Sequence, residues 1–148
     1  MLQQTIDADI KQAMLAKDEI RLRALRAVKA ALLLAKTEKG ASEELTDETG
    51  IRVLQKLIKQ RKESAEIYQQ QHRDDLYKIE ADEMAVIETY LPKQMDKAEL
   101  ETYIKELIAR TGATSVKDMG KVIGAASKEL SGKADGRSIS ETVKALLA

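Results

Sequence analysis

Apolar residues recur every three or four positions along almost the whole chain, and no segment alternates as a half-buried strand does. This helical period predicts an all-α protein. The pattern is divided into segments by the N-cap residues Asp18 and Asp96, by a helix start at Asp74, and by the glycines Gly40 and Gly112 as helix ends. Seven helices are predicted, over residues 3–15, 18–40, 46–68, 74–91, 96–112, 115–132 and 137–147.

The single proline, Pro92, suggests where the chain divides. A residue that precedes proline is disfavoured in the helical conformation, so the fourth helix is expected to end before Pro92. We therefore place a boundary at Leu91–Met95. The predicted organisation is an N-terminal four-helix unit over residues 1–91, followed by a small C-terminal three-helix domain over residues 92–148.

Composition excludes several kinds of site. The chain has no Cys, Phe or Trp and only one His, His72. Disulfides, zinc–thiolate sites, cysteine nucleophiles and histidine-rich metal sites are therefore excluded, and we predict no metal and no cofactor. No apolar run approaches the ~20 residues of a membrane span, and the first residues do not resemble a signal peptide. These features lead us to expect a cytoplasmic protein without a membrane partner.

The charge is balanced, with 25 basic and 25 acidic residues. Residues 1–91 hold 15 basic and 17 acidic groups, and residues 92–148 hold 10 and 8, so the second part is slightly basic. A strong, free-standing nucleic-acid binder is clearly basic, so DNA is not expected as a partner.

Two glycines stand one turn apart inside the predicted sixth helix. Gly120 and Gly124 each cost the helix about 1 kcal/mol relative to alanine, and a close approach of another group is the usual reason for that cost. Lys117 and Lys121 lie on the same flank and are suited to bind phosphates. The alternative is tight packing against a neighbouring helix, with the lysines only solvated.

The segment that follows this helix is a turn between two helices, Gly132 to Arg137. Gly132 is expected to be left-handed, and Asp135 is expected to cap the last helix. Lys133 and Arg137 flank that helix start, which makes an anion site a reasonable hypothesis. The spacing is not that of a phosphate-binding P-loop, and the alternative is a charged surface turn.

Arg61 and Glu83 fall on the apolar stripes of two neighbouring helices. Burying a single charge is costly, so they should pair with each other or with groups such as Glu80 or Lys29. We interpret the pair as structural, and a functional carboxylate–arginine cleft is the alternative. Arg23 belongs to a basic set on the second helix that we interpret as a solvated face.

The chain resembles the GatB/YqeY family over essentially its full length. Three stretches and the tail described above carry the resemblance: residues 25–32 (LRAVKAAL), 57–68 (LIKQRKESAEIY), 88–95 (ETYLPKQM) and 117–137. The tail is also similar to the C-terminal domain of GatB, a subunit of the tRNA-dependent amidotransferase. The resemblance implies a two-part all-helical fold.

The resemblance also implies a function. In GatB the tail helps to hold tRNA, while catalysis belongs to other domains and subunits that have no counterpart here. We therefore expect a non-catalytic module that binds tRNA or a tRNA-containing assembly. The alternative is a protein–protein adaptor that docks on an amidotransferase or an aminoacyl-tRNA synthetase. The expected RNA contacts are Lys117, Gly120, Lys121, Gly124, Lys133 and Arg137.

Overall fold

The computed structural model describes residues 1–38 and 45–148, and in those residues every regular element is a helix. The prediction of an all-α protein is confirmed. Gly40, the predicted end of the second helix, lies outside the described residues. The helices are α1 (Leu2–Leu15), α2 (Glu19–Glu38), α3 (Asp47–Gln70), α4 (Asp74–Glu88), α5 (Lys97–Thr111), α6 (Met119–Glu129) and α7 (Gly136–Leu147). None of them has the length and apolar character needed to cross a bilayer.

The chain forms two compact units, Met1–Leu91 and Pro92–Ala148. In the first unit α3 and α4 form an antiparallel hairpin, α1 packs on α2, and α2 also contacts α3 and α4. The core of this unit is aliphatic, as the absence of Phe and Trp requires. Its fully buried side chains are Ile6, Leu25, Val28, Leu32, Leu54 and Ile87.

Side-chain caps fix the starts of helices in the first unit. Asp18 Oδ1 accepts a hydrogen bond from the Arg21 N–H at 3.1 Å, ahead of α2. Thr46 Oγ1 accepts one from the Thr49 N–H at 3.2 Å and so caps α3. These bonds satisfy backbone donors that the first turn of a helix leaves without an internal partner.

The second unit is a three-helix arrangement in which α5, α6 and α7 all contact one another. Its buried core is again aliphatic and comes from every helix: Leu100, Ile104, Leu107, Val122, Ala126, Leu130, Ile139, Val143 and Leu147. Asp96 caps α5 by accepting from the Glu99 N–H at 2.8 Å. Gly112 ends α5 with φ of 73°, the left-handed conformation that glycine adopts without a steric penalty.

The start of α6 differs from the prediction. The predicted helix 115–132 begins at Ser115, but residues 116–118 form a single 3₁₀ turn and Ser115 makes no side-chain cap bond. Asp118 instead accepts a hydrogen bond from the Thr114 N–H at 3.0 Å. The tighter turn, closed by the Asp118 N–H on the Ser115 carbonyl at 3.0 Å, is the reason that α6 starts at Met119.

Candidate nucleic-acid interface

Gly120 and Gly124 lie on the solvent-facing side of α6. Val122 and Ala126 on the opposite side are fully buried in the core. A Cβ atom built on either glycine would meet no other heavy atom within 4 Å. The two glycines therefore leave an open patch of bare backbone, and packing against another helix of the unit is not the reason for their presence.

Three lysines border this patch. Lys121 is next to Gly120 and Lys128 lies one turn beyond Gly124, so helical spacing places these two on the outward side of α6, and Lys117 lies in the 3₁₀ turn that precedes the helix. All three side chains are exposed, and within the part of the chain that the structure describes none of them forms an ion pair. We call this surface the basic strip and define it as Lys117, Gly120, Lys121, Gly124 and Lys128.

The nearest acidic residues along the chain already have partners. Asp118 accepts from the Thr114 backbone, as described above. Glu129 accepts from Arg110 Nη1 on α5 at 3.1 Å. Because neither carboxylate is bonded to the strip, its positive charge is not neutralised by an ion pair within residues 92–148.

The turn after α6 is held by the segment that begins this unit. Gly132 is buried, with φ of 81°. Its carbonyl accepts from Gln94 Nε2 at 2.7 Å, and the Lys133 carbonyl accepts from the Met95 N–H at 3.0 Å. The backbone of this turn is therefore fixed, while the Lys133 side chain is exposed to solvent.

A backbone N–H at the start of α7 is already bonded to a side chain of the protein. Asp135 Oδ1 accepts from the Ser138 N–H at 2.7 Å, so Asp135 caps α7 as predicted. Arg137 Nε donates to Glu141 Oε1 at 3.0 Å across one turn of the exposed helix. A phosphate at this end would have to compete with the Asp135 carboxylate, which makes the basic strip of α6 the more accessible anion site.

Arg61 and Glu83 lie in the first unit and bond to each other. Arg61 Nε donates to Glu83 Oε2 at 2.9 Å, and Arg23 Nε donates to the other oxygen, Oε1, at 2.9 Å. The Glu83 residue is buried, and the pair of arginines supplies the partners that a buried carboxylate needs. Burial, together with the charge of Glu83, raises the pKa of the neighbouring Glu80. Three helices are thus joined around one carboxylate, with the geometry of a structural ion cluster.

Sequence reasoning missed several polar contacts. Arg23 was assigned to a solvated face, and Lys29, considered as a partner of the Arg61–Glu83 pair, instead bonds Asp7 at 2.9 Å. Tyr90, two residues after the end of α4, donates to Asp9 of α1, a link that no local pattern indicated. Burial raises the pKa of Tyr90, and its hydrogen bond to Asp9 adds to the effect. All these contacts join residues far apart in the sequence, which is why spacing along one helix did not reveal them.

Within residues 1–38 and 45–148, no cluster of three or more His, Asp or Glu side chains has the arrangement of a metal site. Two polar features of the described residues differ in exposure, the buried ion cluster of the first unit and the exposed basic strip of the second. The cluster has its charges paired internally, whereas the strip does not.

Residues 3–147 match the family described as Yqey-like protein. This chain belongs to that family. Curated relatives of this YqeY-like chain are about one third identical to it over the matched residues, and each is named "Altered inheritance of mitochondria protein 41, mitochondrial". The relative from Clavispora lusitaniae is 33% identical over 118 residues, which are 76% of this chain and 68% of the relative. The one from Vanderwaltozyma polyspora is 33% identical over 119 residues, 75% of this chain and 63% of its own length.

A third relative, from Meyerozyma guilliermondii, is 34% identical over 87 residues, which cover 59% of this chain and 44% of that protein. Since all three names state a mitochondrial protein, the expectation of a cytoplasmic protein is contradicted and is corrected here. That expectation relied on the absence of a secretory signal and of a membrane span. Mitochondrial proteins require neither feature, because their import signals have a different composition.

Proposed function

We propose that this YqeY-like chain is a non-catalytic module that binds tRNA, or an assembly containing tRNA, through its C-terminal unit. The observation that carries the proposal is the basic strip, where two glycines lie between exposed lysines and a Cβ atom built on either glycine would meet nothing within 4 Å. Bare backbone lets a sugar–phosphate chain come close, and lysines that have no carboxylate partner among the described residues supply the charge that attracts it.

The dimensions of the strip suit a backbone contact. Lys121 and Lys128 are seven residues apart, which corresponds to about 10 Å along an α-helix. Lysine contacts to phosphates position a nucleic acid without reading its bases, so recognition would be mainly of RNA shape. Lys133 and Arg137, on the turn and the first residues of α7, are the proposed outer contacts, and Arg137 would have to exchange its bond to Glu141 for one to a phosphate.

The test is tRNA binding by the full chain in a low-salt gel shift. We expect the triple variant Lys121→Ala, Lys133→Ala, Arg137→Ala to lose most of its tRNA retention. We also expect its binding to depend less on salt, by about one unit of log–log slope for each phosphate contact removed. The matched control removes three exposed lysines of α3, with Lys56→Ala, Lys59→Ala and Lys62→Ala, and should bind as the parent does.

The proposal fails if both triple variants bind tRNA equally well. The balanced net charge of the whole chain favours the adaptor function as the second candidate. A protein captured by the chain after nuclease treatment and at high salt, together with no retention of tRNA, would support that second function and overturn the first.

A further inference from the structure

A shallow groove runs between α5 and α6 and shares Lys128 with the basic strip. Its volume is about 590 Å³, within the range of small-ligand sites. It is open to solvent along its length. The residues that line it are Leu107, Arg110, Thr111, Ala125, Lys128 and Glu129.

The floor and the rim of this groove differ in chemistry. Leu107 is buried and Ala125 half-buried, so the floor is apolar. Arg110 and Glu129 face each other across the rim, with Arg110 Nη1 to Glu129 Oε1 at 3.1 Å. A flat apolar floor accepts the face of a planar ring, and a polar rim can bond the edge of that ring.

The Arg110 guanidinium is bonded at the rim to Glu129, with Nη1 to Oε1 at 3.1 Å. The hydrogen bond to Glu129 raises the pKa of Arg110, and the neighbouring Tyr103 adds to the effect. A guanidinium presents a plane on which a base can stack, and a carboxylate such as Glu129 can accept a hydrogen bond from a base amino group. The sequence alone suggested no stacking surface, because the chain has no Phe or Trp.

We propose that this groove receives one unpaired nucleotide of an RNA whose backbone lies on the basic strip. The inference rests on the proposed function and deepens it, since it names unpaired RNA as the preferred ligand. Lys128 belongs to both surfaces, so a strand that follows the strip passes the mouth of the groove. The occupant is a nucleotide because the strip beside the groove is cationic and the floor of the groove is apolar.

The test compares two labelled RNA hairpins of identical stem, one blunt and one with a short single-stranded 3′ overhang, by fluorescence anisotropy with the full chain. Stacking of one base is worth ~1–3 kcal/mol, so the overhang should tighten binding by about fivefold or more. Ala125→Leu fills the groove and should abolish this preference while leaving the affinity for the blunt hairpin unchanged.

Two further variants make the result specific. Arg110→Lys keeps the charge that pairs with Glu129 but removes the planar group, and it should also lose the preference for the overhang. Ala109→Leu adds the same bulk at an exposed position of α5 that does not line the groove, and it should keep the preference. If Ala125→Leu does not fold, as judged by circular dichroism, Arg110→Lys still decides the question.

Equal binding of the two hairpins by the parent chain overturns this inference and leaves the proposed function intact. Preference retained in both Ala125→Leu and Arg110→Lys also overturns it. If the parent chain binds neither of the two hairpins and does not bind tRNA, the proposed function itself is overturned.

Discussion

The ion cluster of the first unit and the basic strip of the second use charge in opposite ways. In the first unit the buried Glu83 carboxylate is bonded by Arg61 and Arg23, so its charge serves the packing of three helices. In the second unit the lysines of the basic strip have no carboxylate partner among the residues that the structure describes, and they stand beside two exposed glycines. Paired, buried charges indicate structure, and unpaired, exposed charges beside bare backbone indicate a surface for a polyanion.

The largest effect is expected from breaking the buried cluster. Arg61→Ala leaves Glu83 with one arginine, and removing a partner from a buried pair should lower the free energy of unfolding by about 3 kcal/mol. The control Arg52→Ala breaks an exposed pair, Arg52–Glu48, and should change the free energy of unfolding by about 0.5 kcal/mol or less. Urea unfolding followed by far-UV circular dichroism measures both. Similar losses in the two variants would show that the cluster has no special role in the first unit.

Substitutions at the two glycines of the second unit are expected to change its stability and its tRNA binding independently. Gly120→Ala and Gly124→Ala each remove a poor helix former at a position where the added Cβ atom meets nothing within 4 Å, so each should raise the free energy of unfolding by about 0.5–1 kcal/mol. The bulkier double change Gly120→Leu, Gly124→Leu should weaken tRNA binding by about tenfold, or about 1.4 kcal/mol, because it holds the RNA backbone away. Ala145→Leu, on the exposed side of α7, is the control for added bulk.

Thermal unfolding and anisotropy on the same samples test this pair of effects. A loss of stability in the alanine variants would mean that the glycines are needed for packing. Unchanged tRNA affinity in the double leucine variant would remove the basic strip as the contact surface.

The smallest effects concern two carboxyls, one in each unit, whose pKa values are displaced in opposite directions. The backbone N–H of Glu99 lowers the pKa of Asp96, so the folded state is stabilised by the Asp96 charge at neutral pH, and that stabilisation is lost as the pH falls through the lowered value. Burial raises the pKa of Glu80, so the ionised form opposes folding, and this cost develops as the pH rises above the usual value of 4.5.

Melting temperatures measured against pH test both signs. Asp96→Ala should melt below the parent at neutral pH, with the gap closing in acid, whereas Glu80→Gln should melt slightly above the parent at neutral pH and match it in acid. A gap for Asp96→Ala that widens on acidification would contradict the assignment of its carboxylate as a charged cap.

Much of the fold can be predicted from local signals in the sequence. The caps Thr46, Asp96 and Asp135 act within three residues, so their bonds follow from spacing alone. The start of α6 did not follow, because the choice between an α-turn and a 3₁₀ turn at residues 116–118 depends on how Thr114 and Asp118 bond.

The candidate site was only partly predictable. Charges on apolar stripes identified Arg61 and Glu83, but Arg23 looks like any solvated arginine until α2 and α4 are packed. The sequence allowed two explanations of Gly120 and Gly124, an open surface and packing against a neighbouring helix, and only the structure distinguishes between these explanations. The groove could not be foreseen, because it is formed by the way α5 and α6 lie against each other and not by any motif.

The most direct measurement is an NMR titration of the isotopically labelled full chain with tRNA, following backbone amides. Glycine amides resonate apart from most others, so Gly120 and Gly124 report on the strip individually. We expect these two amides and those of Lys117, Lys121 and Lys128 to shift first, while the amides around Arg61 and Glu83 do not move. Shifts confined to the first unit, or none at saturating tRNA in low salt, would contradict it.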